Sequence, residues 1–271
     1  MKAALLHRSK PSAKWFVKLI TTFTFLLLYI PLVCLVAYSF VGTDPVSGAS
    51  FFTWNWYSEA LKDEGLRSGL WISLWVGLWS TLGATILGTT AAIALERASF
   101  PGKKLFDAFT LVPLIVPEIV MGLSLLIWFV ALGLTLGAFS IILAHITFSF
   151  SYVIITVRTR LKDFDPSLEE AARDLGATPA QTFWKVTFPL IWPGILSGAL
   201  MAFTLSFDDF LITFFTAGVG SDTLPIKLYS MIKYGISPKV NALSTLILLA
   251  TILMVLFIFN PKKKTGLAAH S

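Results

Sequence analysis

Long apolar runs, separated by short polar segments, are the most regular feature of the chain. Six of these runs reach about 20 residues, the length that an α-helix needs to cross the hydrocarbon core of a bilayer. They are Val17–Phe40, Gly69–Leu95, Leu105–Leu132, Ala138–Leu161, Ile191–Ala217 and Asn241–Phe259. The pattern therefore predicts an all-α membrane protein with six transmembrane helices, formed by a single domain over residues 1–271.

The composition excludes a soluble protein. Apolar residues make up 56% of the chain and charged residues 13%, whereas a soluble domain carries about 25% charged residues. So little polar surface cannot cover a water-exposed globule, which excludes a soluble enzyme. The net charge of +6 does not indicate a nucleic-acid partner either, because the basic residues are scattered around the apolar runs and form no stripe.

The distribution of Lys and Arg predicts that both termini are cytoplasmic. With the N-terminus inside, the cytoplasmic segments carry 16 of the 21 basic residues. The outer segments carry the other five, which are Lys62, Arg67, Lys227, Lys233 and Lys239. Cytoplasmic segments of membrane proteins are enriched in Lys and Arg. This orientation places residues 162–190, between the fourth and fifth runs, on the cytoplasmic side.

Small residues and prolines suggest how the predicted helices pack. Small residues recur at every fourth position in the second and fifth runs, at Ala84, Gly88, Ala92 and at Gly194, Gly198, Ala202. This spacing lets two helix backbones approach closely, either within the chain or at an interface with another membrane subunit. In the third run, Pro113 and Pro117 predict a kink.

The segment 162–190 predicts two helices separated by a glycine. Asp165 is a suitable N-cap and Gly176 suits the position just after a helix end, which gives a first helix of about three turns. Glu169 and Arg173, one turn apart, are expected to pair. The sequence Thr178-Pro179-Ala180-Gln181 is a capping box that begins a second helix. An apolar stripe on so short a helix is covered either by a groove on a partner or by the membrane surface.

This loop resembles the EAA loop of ABC importer permeases. Glu170-Ala171-Ala172 is followed by Gly176 and, after nine intervening residues, by Val186-Thr187-Phe188-Pro189, with Val and Phe where that family usually has Ile and Leu. The resemblance implies a type I ABC permease fold, in which Glu170, Ala171, Ala172, Gly176 and Pro189 form a coupling site for a separate ATPase. It also implies a second homologous permease subunit, an ATPase dimer that uses ATP and Mg, and an external binding protein.

Further motifs are similar to the second permease subunit of spermidine/putrescine importers. They are Phe52-Thr53, Trp56-Tyr57, Pro117 to Met121, Ser206 to Asp209, Leu224 to Met231 and Ser237 to Leu243, although Lys239 stands where that family typically has Glu. The similarity implies a polyamine permease in a bacterial inner membrane. Two alternatives remain open, a type I ABC permease for another substrate and a secondary transporter or channel that needs no ATPase.

Aromatic residues cluster in the first outer loop, at Trp54, Trp56 and Tyr57. Trp and Tyr are enriched where a membrane meets water, and they are also enriched at protein interfaces. The cluster is therefore either an interfacial anchor in the lipid headgroups or a docking site for the external binding protein.

No constellation for catalysis or metal binding occurs in the sequence. It has no GxxxxGK[ST] phosphate-binding loop, its three His are far apart, and its single cysteine, Cys34, lies in an apolar run. His145 is expected to serve as a hydrogen-bonding residue in helix packing. We therefore predict no catalytic residue, no metal and no cofactor in this chain, with ATP used by the partner ATPase.

Three acidic residues lie deep within the apolar runs, at Glu118, Asp208 and Asp209. A charge at membrane depth costs about 2.5–3.5 kcal/mol, so it usually lines a cavity or finds a partner. Together with Phe207 and Phe210, whose rings can attract a cation, these acids are the predicted path for a polyamine. The alternative for Glu118 is a structural one, in which it binds backbone groups freed by the nearby prolines.

Overall fold

A computed structural model describes residues 11–43, 47–235 and 237–258 of the chain. Nearly all of its regular structure is helical. The helices are α1 (Pro11–Tyr38), α2 (Asn55–Lys62), α3 (Glu64–Arg97), α4 (Lys103–Ile115), α5 (Glu118–Ala131), α6 (Ala138–Lys162), α7 (Ser167–Asp174), α8 (Pro179–Thr182), α9 (Phe188–Asp208), α10 (Leu211–Thr216), α11 (Leu224–Tyr234) and α12 (Pro238–Ile258). A π-helical segment, Phe183–Thr187, joins α8 to α9.

A short antiparallel hairpin corrects the all-α prediction. Strands β1 (Val41–Thr43) and β2 (Ser50–Phe52) pair with Val41 opposite Phe52. Strands of three residues are too short to show the alternating pattern by which a sequence reveals a strand. The chain folds as two compact units, one from the described parts of Met1–Asp63 and Met231–Ser271 and the other from Glu64–Ser230.

Within the described residues, four helices are long and apolar enough to cross a membrane. They are the segment Trp15–Tyr38 of α1, α3, α6 and the continuous helix Pro179–Asp208, and they correspond to four of the six predicted runs. No residue of Trp15–Tyr38 is buried. The sixth run corresponds to α12, whose apolar segment Pro238–Leu253 is shorter. Apolar helices of this number and length make the chain a multi-pass membrane protein.

The third predicted run is broken. Helices α4 and α5 meet at an angle of 111°, so the prediction of one continuous helix over Leu105–Leu132 is wrong, although the predicted kink is confirmed. The break lies at Val116 and Pro117, where Val116 is extended with ψ of 130°. A proline disfavours the helical conformation of the residue before it and lacks a backbone N–H. Pro113, by contrast, lies inside α4.

The fifth predicted run ends early. Helix α9 stops at Asp208, Asp209 is extended with ψ of 128°, and the six-residue helix α10 follows. A continuous helix to Ala217 is therefore wrong. The cause is local, because the Asp209 carboxylate accepts hydrogen bonds from the backbone N–H groups of Ile212 (3.3 Å) and Thr213 (2.7 Å) and so begins a new helix.

Small residues in the unit Glu64–Ser230 let α3, α6 and α9 pack closely. A Cβ added to Gly88 of α3 would lie 2.7 Å from the Cβ of Val153 on α6, and one added to Gly198 of α9 would lie 3.0 Å from the Cα of the same valine. Ala84 and Ala202 are fully buried in the same cluster. Of the two predicted uses of the small-residue stripes, packing within the chain is confirmed.

Candidate functional site

A cavity of 310 Å³ lies where the two helix breaks meet. It receives side chains from both sides of the α4–α5 break and from both sides of the α9–α10 break. Its lining consists of Pro113, Glu118, Met121, Phe148, Tyr152, Leu205, Asp208, Asp209, Phe210, Leu211 and Ile212. No Lys or Arg is among these described residues, so the cavity has carboxylates without a cationic side chain to neutralise them.

Glu118 lies at the start of one helix, and Asp208 lies at the end of another. Glu118 is the first residue of α5, where the helix dipole favours a negative charge, and Asp208 is the last residue of α9. Both residues are exposed. The Glu118 carboxylate has no hydrogen bond or ion pair with any residue that the structure describes, so the described contacts do not support a structural role in binding freed backbone groups.

Asp209 reaches the edge of the cavity but is engaged by protein groups. It is 9% exposed, and its carboxylate accepts hydrogen bonds from the backbone N–H and the hydroxyl of Thr213 at 2.7 and 2.8 Å. His145 Nε2 lies 3.3 Å from the same carboxylate. Helix α9 thus ends between the adjacent residues Asp208 and Asp209, so the two acids do not lie on one continuous helix. The predicted packing role of His145 is confirmed by its hydrogen bonds with Ser206 and Thr213.

Of the two predicted aromatic residues near the acids, one lines the cavity and the other does not. Phe210 lines the cavity and packs on Tyr229, with ring centroids 4.7 Å apart. Phe207 stacks on Phe203 at 6.0 Å and is not part of the described cavity lining. Two lining aromatics, Phe148 and Tyr152 of α6, were not predicted. Their spacing of four residues on one helix face is the signal that could have identified them.

The cytoplasmic loop contains the predicted helix–glycine–helix arrangement, with a shorter first helix. Helix α7 has eight residues instead of about three turns. Its start is set by the Asp165 carboxylate, which accepts the Ser167 N–H at 3.0 Å. Its end is set by Gly176, whose φ of +87° favours glycine. The capping box at Thr178 and Gln181 is confirmed.

Adjacent glutamates of α7 point to different surroundings. Glu170 is exposed, as are Ala171, Gly176 and Pro189, while Ala172 is half-buried. The Glu169 carboxylate lies 2.6 Å from Arg97 Nη1, at the end of α3, and accepts the hydroxyl of the buried Thr187. Arg97 also lies over the ring of Phe164 at 5.7 Å. The predicted pairing of Glu169 with Arg173 is wrong, because α7 turns this carboxylate towards α3 and the π-helical segment.

The surroundings of Glu169 also set its ionisation. Burial raises the pKa of Glu169, but hydrogen bonds from Thr187 and Arg97 and the positive charges of Arg97 and Arg173 outweigh it. The pKa therefore lies below its ordinary value, and the carboxylate is ionised at neutral pH.

A second ion-pair group, with Arg158 of α6 at 2.6 Å from Glu96 and 2.5 Å from Asp107, joins α6 to α3 and α4.

The outer aromatic residues serve partly as internal contacts. Trp56 Nε1 donates to the carbonyl oxygen of Val41 at 2.9 Å, and the hydroxyl of Tyr57 lies 2.6 Å from that of Ser39. Trp54 is 63% exposed, and its ring lies 4.7 Å from that of Phe40 in a T-shaped contact. Of the three predicted docking residues, Trp54 is exposed, and Trp56 and Tyr57 are half-buried.

Sequence comparison identifies the family. Residues 84–260 match the family described as binding-protein-dependent transport system inner membrane component. The chain is 43% identical over 237 residues to the putrescine transport system permease protein PotI of Escherichia coli K12, covering 85% of this chain and 84% of that protein. It is 39% identical over 229 residues to the spermidine/putrescine transport system permease protein PotC of the same strain, covering 84% and 87%.

The fold has solved counterparts. A bacterial ABC transporter involved in the import of the acidic polysaccharide alginate matches with a TM-score of 0.69 at 16% identity, over 97% of this chain and 100% of that chain. At this identity the likeness concerns the fold alone. Together with the sequence matches, it leads to one conclusion. The chain belongs to the family of binding-protein-dependent transport system inner membrane components.

Proposed function

We propose that this chain is the permease subunit of an ATP-driven ABC importer for polyamines of the spermidine and putrescine class. The observation that carries the proposal is the cavity at the two helix breaks, which contains the carboxylates of Glu118 and Asp208 and no described Lys or Arg. The 43% and 39% identities to putrescine and spermidine/putrescine permeases support the same substrate class. The likeness to an alginate importer does not select a substrate, because it concerns the fold alone.

A polyamine at neutral pH is a polycation whose ammonium groups are costly to remove from water. The exposed carboxylates of Glu118 and Asp208 can offset this cost by charge, and the rings of Phe148, Tyr152 and Phe210 can offset it through their negative faces. Several weak contacts suit transport better than one tight site, because the substrate must leave again. An anionic substrate would be repelled by the same acids.

The proposal includes an assembly and a topology. The chain crosses the bacterial inner membrane six times with both termini cytoplasmic, and it pairs with a second homologous permease subunit. The exposed residues of α7, above all Glu170, dock onto one copy of an ATPase dimer that uses ATP and Mg, so this chain needs no ATPase site of its own. An extracytoplasmic polyamine-binding protein delivers the substrate to the outer face, where Trp54 is exposed. A secondary transporter is the competing function, and it would need no ATPase.

Neutralising the cavity acids is expected to reduce polyamine uptake while the complex still assembles. Asp208→Asn or Glu118→Gln removes a charge-assisted contact worth about 1.5–3 kcal/mol, so we expect a fall of about tenfold or more in the apparent affinity for spermidine or putrescine. The measurement is radiolabelled uptake in cells that carry this chain and its partners. Asp163→Asn, which neutralises an exposed acid at the end of α6, is the matched control. Parental uptake by both neutralised variants would refute the cation path.

The topology is expected to follow the basic residues. Reporter proteins fused at Lys103 and Pro179 should be active as cytoplasmic fusions, and those fused at Asn55 and Asp222 as external fusions. Paired reporters that are active on only one side of the membrane make this measurement. An external location of Pro179 would contradict the docking of α7 onto an ATPase and would favour the secondary transporter.

A further inference from the structure

A buried polar network surrounds His145 in the middle of the unit Glu64–Ser230. His145 is fully buried, and both ring nitrogens have partners. Nδ1 lies 2.7 Å from the hydroxyl of Ser206, and Nε2 lies 2.9 Å from the hydroxyl of Thr213 and 3.3 Å from the Asp209 carboxylate. Ser206 in turn lies 2.9 Å from the hydroxyl of Ser80 on α3. A buried network of this kind stabilises one arrangement only if every member is satisfied.

Two hydrogen-bond directions in this network follow from the chemistry of the groups. The Thr213 hydroxyl donates to the Asp209 carboxylate at 2.8 Å. Because its hydrogen is used there, the Thr213 oxygen accepts from Nε2–H of His145. Ser206 lies between Nδ1 of His145 and the hydroxyl of Ser80, which donates to the carbonyl oxygen of Gly77 at 3.2 Å. Every polar side chain of the network therefore has a partner.

The partners of His145 lie on both sides of the α9–α10 break. Ser206 belongs to the last turn of α9, while Asp209 and Thr213 belong to the break and to α10. Asp208 lies between Ser206 and Asp209 in the chain. The imidazole of His145 contacts the side chains of both of these residues, so it fixes the chain before and after Asp208. The result is that the Asp209 carboxylate is buried and the Asp208 side chain is exposed at the cavity.

We propose that His145 is a positioning residue of the cation path, which holds the α9–α10 break so that Asp208 and not Asp209 offers its carboxylate to the substrate. This inference rests on the proposed function in taking the cavity as a path for cations. The placement of the Asp208 and Asp209 carboxylates, however, can be tested without a polyamine. Asp209 is 9% exposed and its carboxylate already accepts hydrogen bonds from Ile212 and Thr213, whereas the Asp208 carboxylate is exposed. Of the two adjacent acids, the substrate therefore meets one.

The test measures how accessible position 208 is in the assembled transporter. Replacing the single cysteine by Cys34→Ala gives a cysteine-free chain, into which Asp208→Cys or, as the matched control from the same cavity, Leu205→Cys is introduced. A cationic methanethiosulfonate reagent then labels each site in membranes. We expect His145→Leu to lower the labelling rate at 208 by about tenfold and to leave the rate at 205 unchanged, because the loss of two buried hydrogen bonds shifts a two-state arrangement by about this factor.

Three further variants keep the test decisive. His145→Gln retains a donor near the position of Nε2, so it should restore labelling at 208. Ser206→Ala removes the Nδ1 partner and the contact with Ser80 but leaves the Nε2 contact with Thr213, so it should lower the labelling at 208 by less than His145→Leu. Ser149→Ala lies one turn further along α6 and removes a buried hydroxyl with no hydrogen-bond partner in the described part of the chain, so it should change nothing.

Two results would overturn the inference. One is an unchanged ratio of labelling at 208 and 205 in His145→Leu, and the other is an equal fall at both positions, which would mean general loss of structure. If the transporter fails to carry polyamines while the labelling ratio changes as expected, the proposed substrate is wrong and the positioning role of His145 stands.

Discussion

Reversing the charge of Arg97 is expected to uncouple ATP hydrolysis from substrate uptake, and reversing Glu169 in the same chain is expected to restore the coupling. The two side chains join the cytoplasmic helix α7 to the end of α3, with 2.6 Å between Arg97 Nη1 and the Glu169 carboxylate. Thr187 extends the contact to the π-helical segment that leads into α9. If Glu170 docks onto the ATPase, Glu169 is the residue through which movement of α7 reaches the membrane helices.

The expected magnitude follows from the burial of this ion pair. Its side chains are 33% and 12% exposed, which places it between a surface pair worth about 0–1 kcal/mol and a buried pair whose disruption costs about 3–5 kcal/mol. Arg97→Glu also brings two carboxylates together, so we expect at least a tenfold fall in substrate taken up per ATP hydrolysed, equivalent to about 1.4 kcal/mol. Arg97→Glu combined with Glu169→Arg should recover most of it.

The measurement is uptake and ATP hydrolysis in vesicles that contain the whole transporter. Lys104→Glu, a charge reversal at an exposed position seven residues away, is the matched control and should leave the ratio unchanged. Glu170→Ala should differ from both, because its side chain is exposed and its loss should weaken retention of the ATPase. Normal coupling in Arg97→Glu would exclude a role for this ion pair.

The pH dependence of the ion pair has a definite sign. The folded-state pKa of Glu169 is lowered, so its contribution is present above the ordinary glutamate pKa and is lost as the pH falls through the lower folded value. Coupling through Glu169 should therefore persist from neutral pH down to about pH 5.

Gly88→Val is expected to prevent formation of the stable transporter. A Cβ at this position would lie 2.7 Å from the Cβ of Val153 and 2.9 Å from the carbonyl oxygen of Phe150, so α3 and α6 would have to separate. Overpacking of a well-packed core costs about 1–3 kcal/mol and occasionally more, and the branched valine side chain adds to the single methyl. Substituting glycine in a helix gains about 1 kcal/mol or less in propensity, which cannot offset the clash.

The level of assembled transporter and its thermal midpoint in detergent measure this effect. Gly137→Ala is the control, since its added Cβ would meet nothing within 4 Å and its φ of 170° is extended. A Gly88→Val transporter with the parental midpoint would show that the close approach of α3 and α6 is not needed for stability.

Features encoded locally in the sequence were predicted best. Apolar runs identified α1, α3 and α6, and the Thr178 capping box and Gly176 identified the ends of the loop helices, because these signals involve only neighbouring residues. The break at Pro117 was predicted as a kink, but no local rule gives its angle of 111°. The break at Asp209 was missed, since an aspartate in an apolar run indicates a cavity or a cap equally well.

Sequence patterns could not predict the contacts between distant residues that organise the site. Glu169 pairs with Arg97, 72 residues earlier in the chain, and the nearer Arg173 offered a plausible local partner. His145 was predicted to form packing hydrogen bonds, but its partners Ser206 and Thr213 lie 61 and 68 residues away. One sequence contains no information about which distant residues come together unless their spacing or capping indicates it.

The π-helical segment Phe183–Thr187 sets which face of α9 meets the rest of the unit Glu64–Ser230. A π-helical turn contains about one residue more than an α-helical turn. Closing this turn to α-helical geometry without removing a residue would rotate everything after it by about 100°. Gly198 would then turn away from Val153, and Asp208 would leave the cavity. Deleting one residue from the segment would instead leave an uninterrupted α-helix with the same faces beyond it, so a single deletion should be tolerated better here than elsewhere between α8 and the cavity.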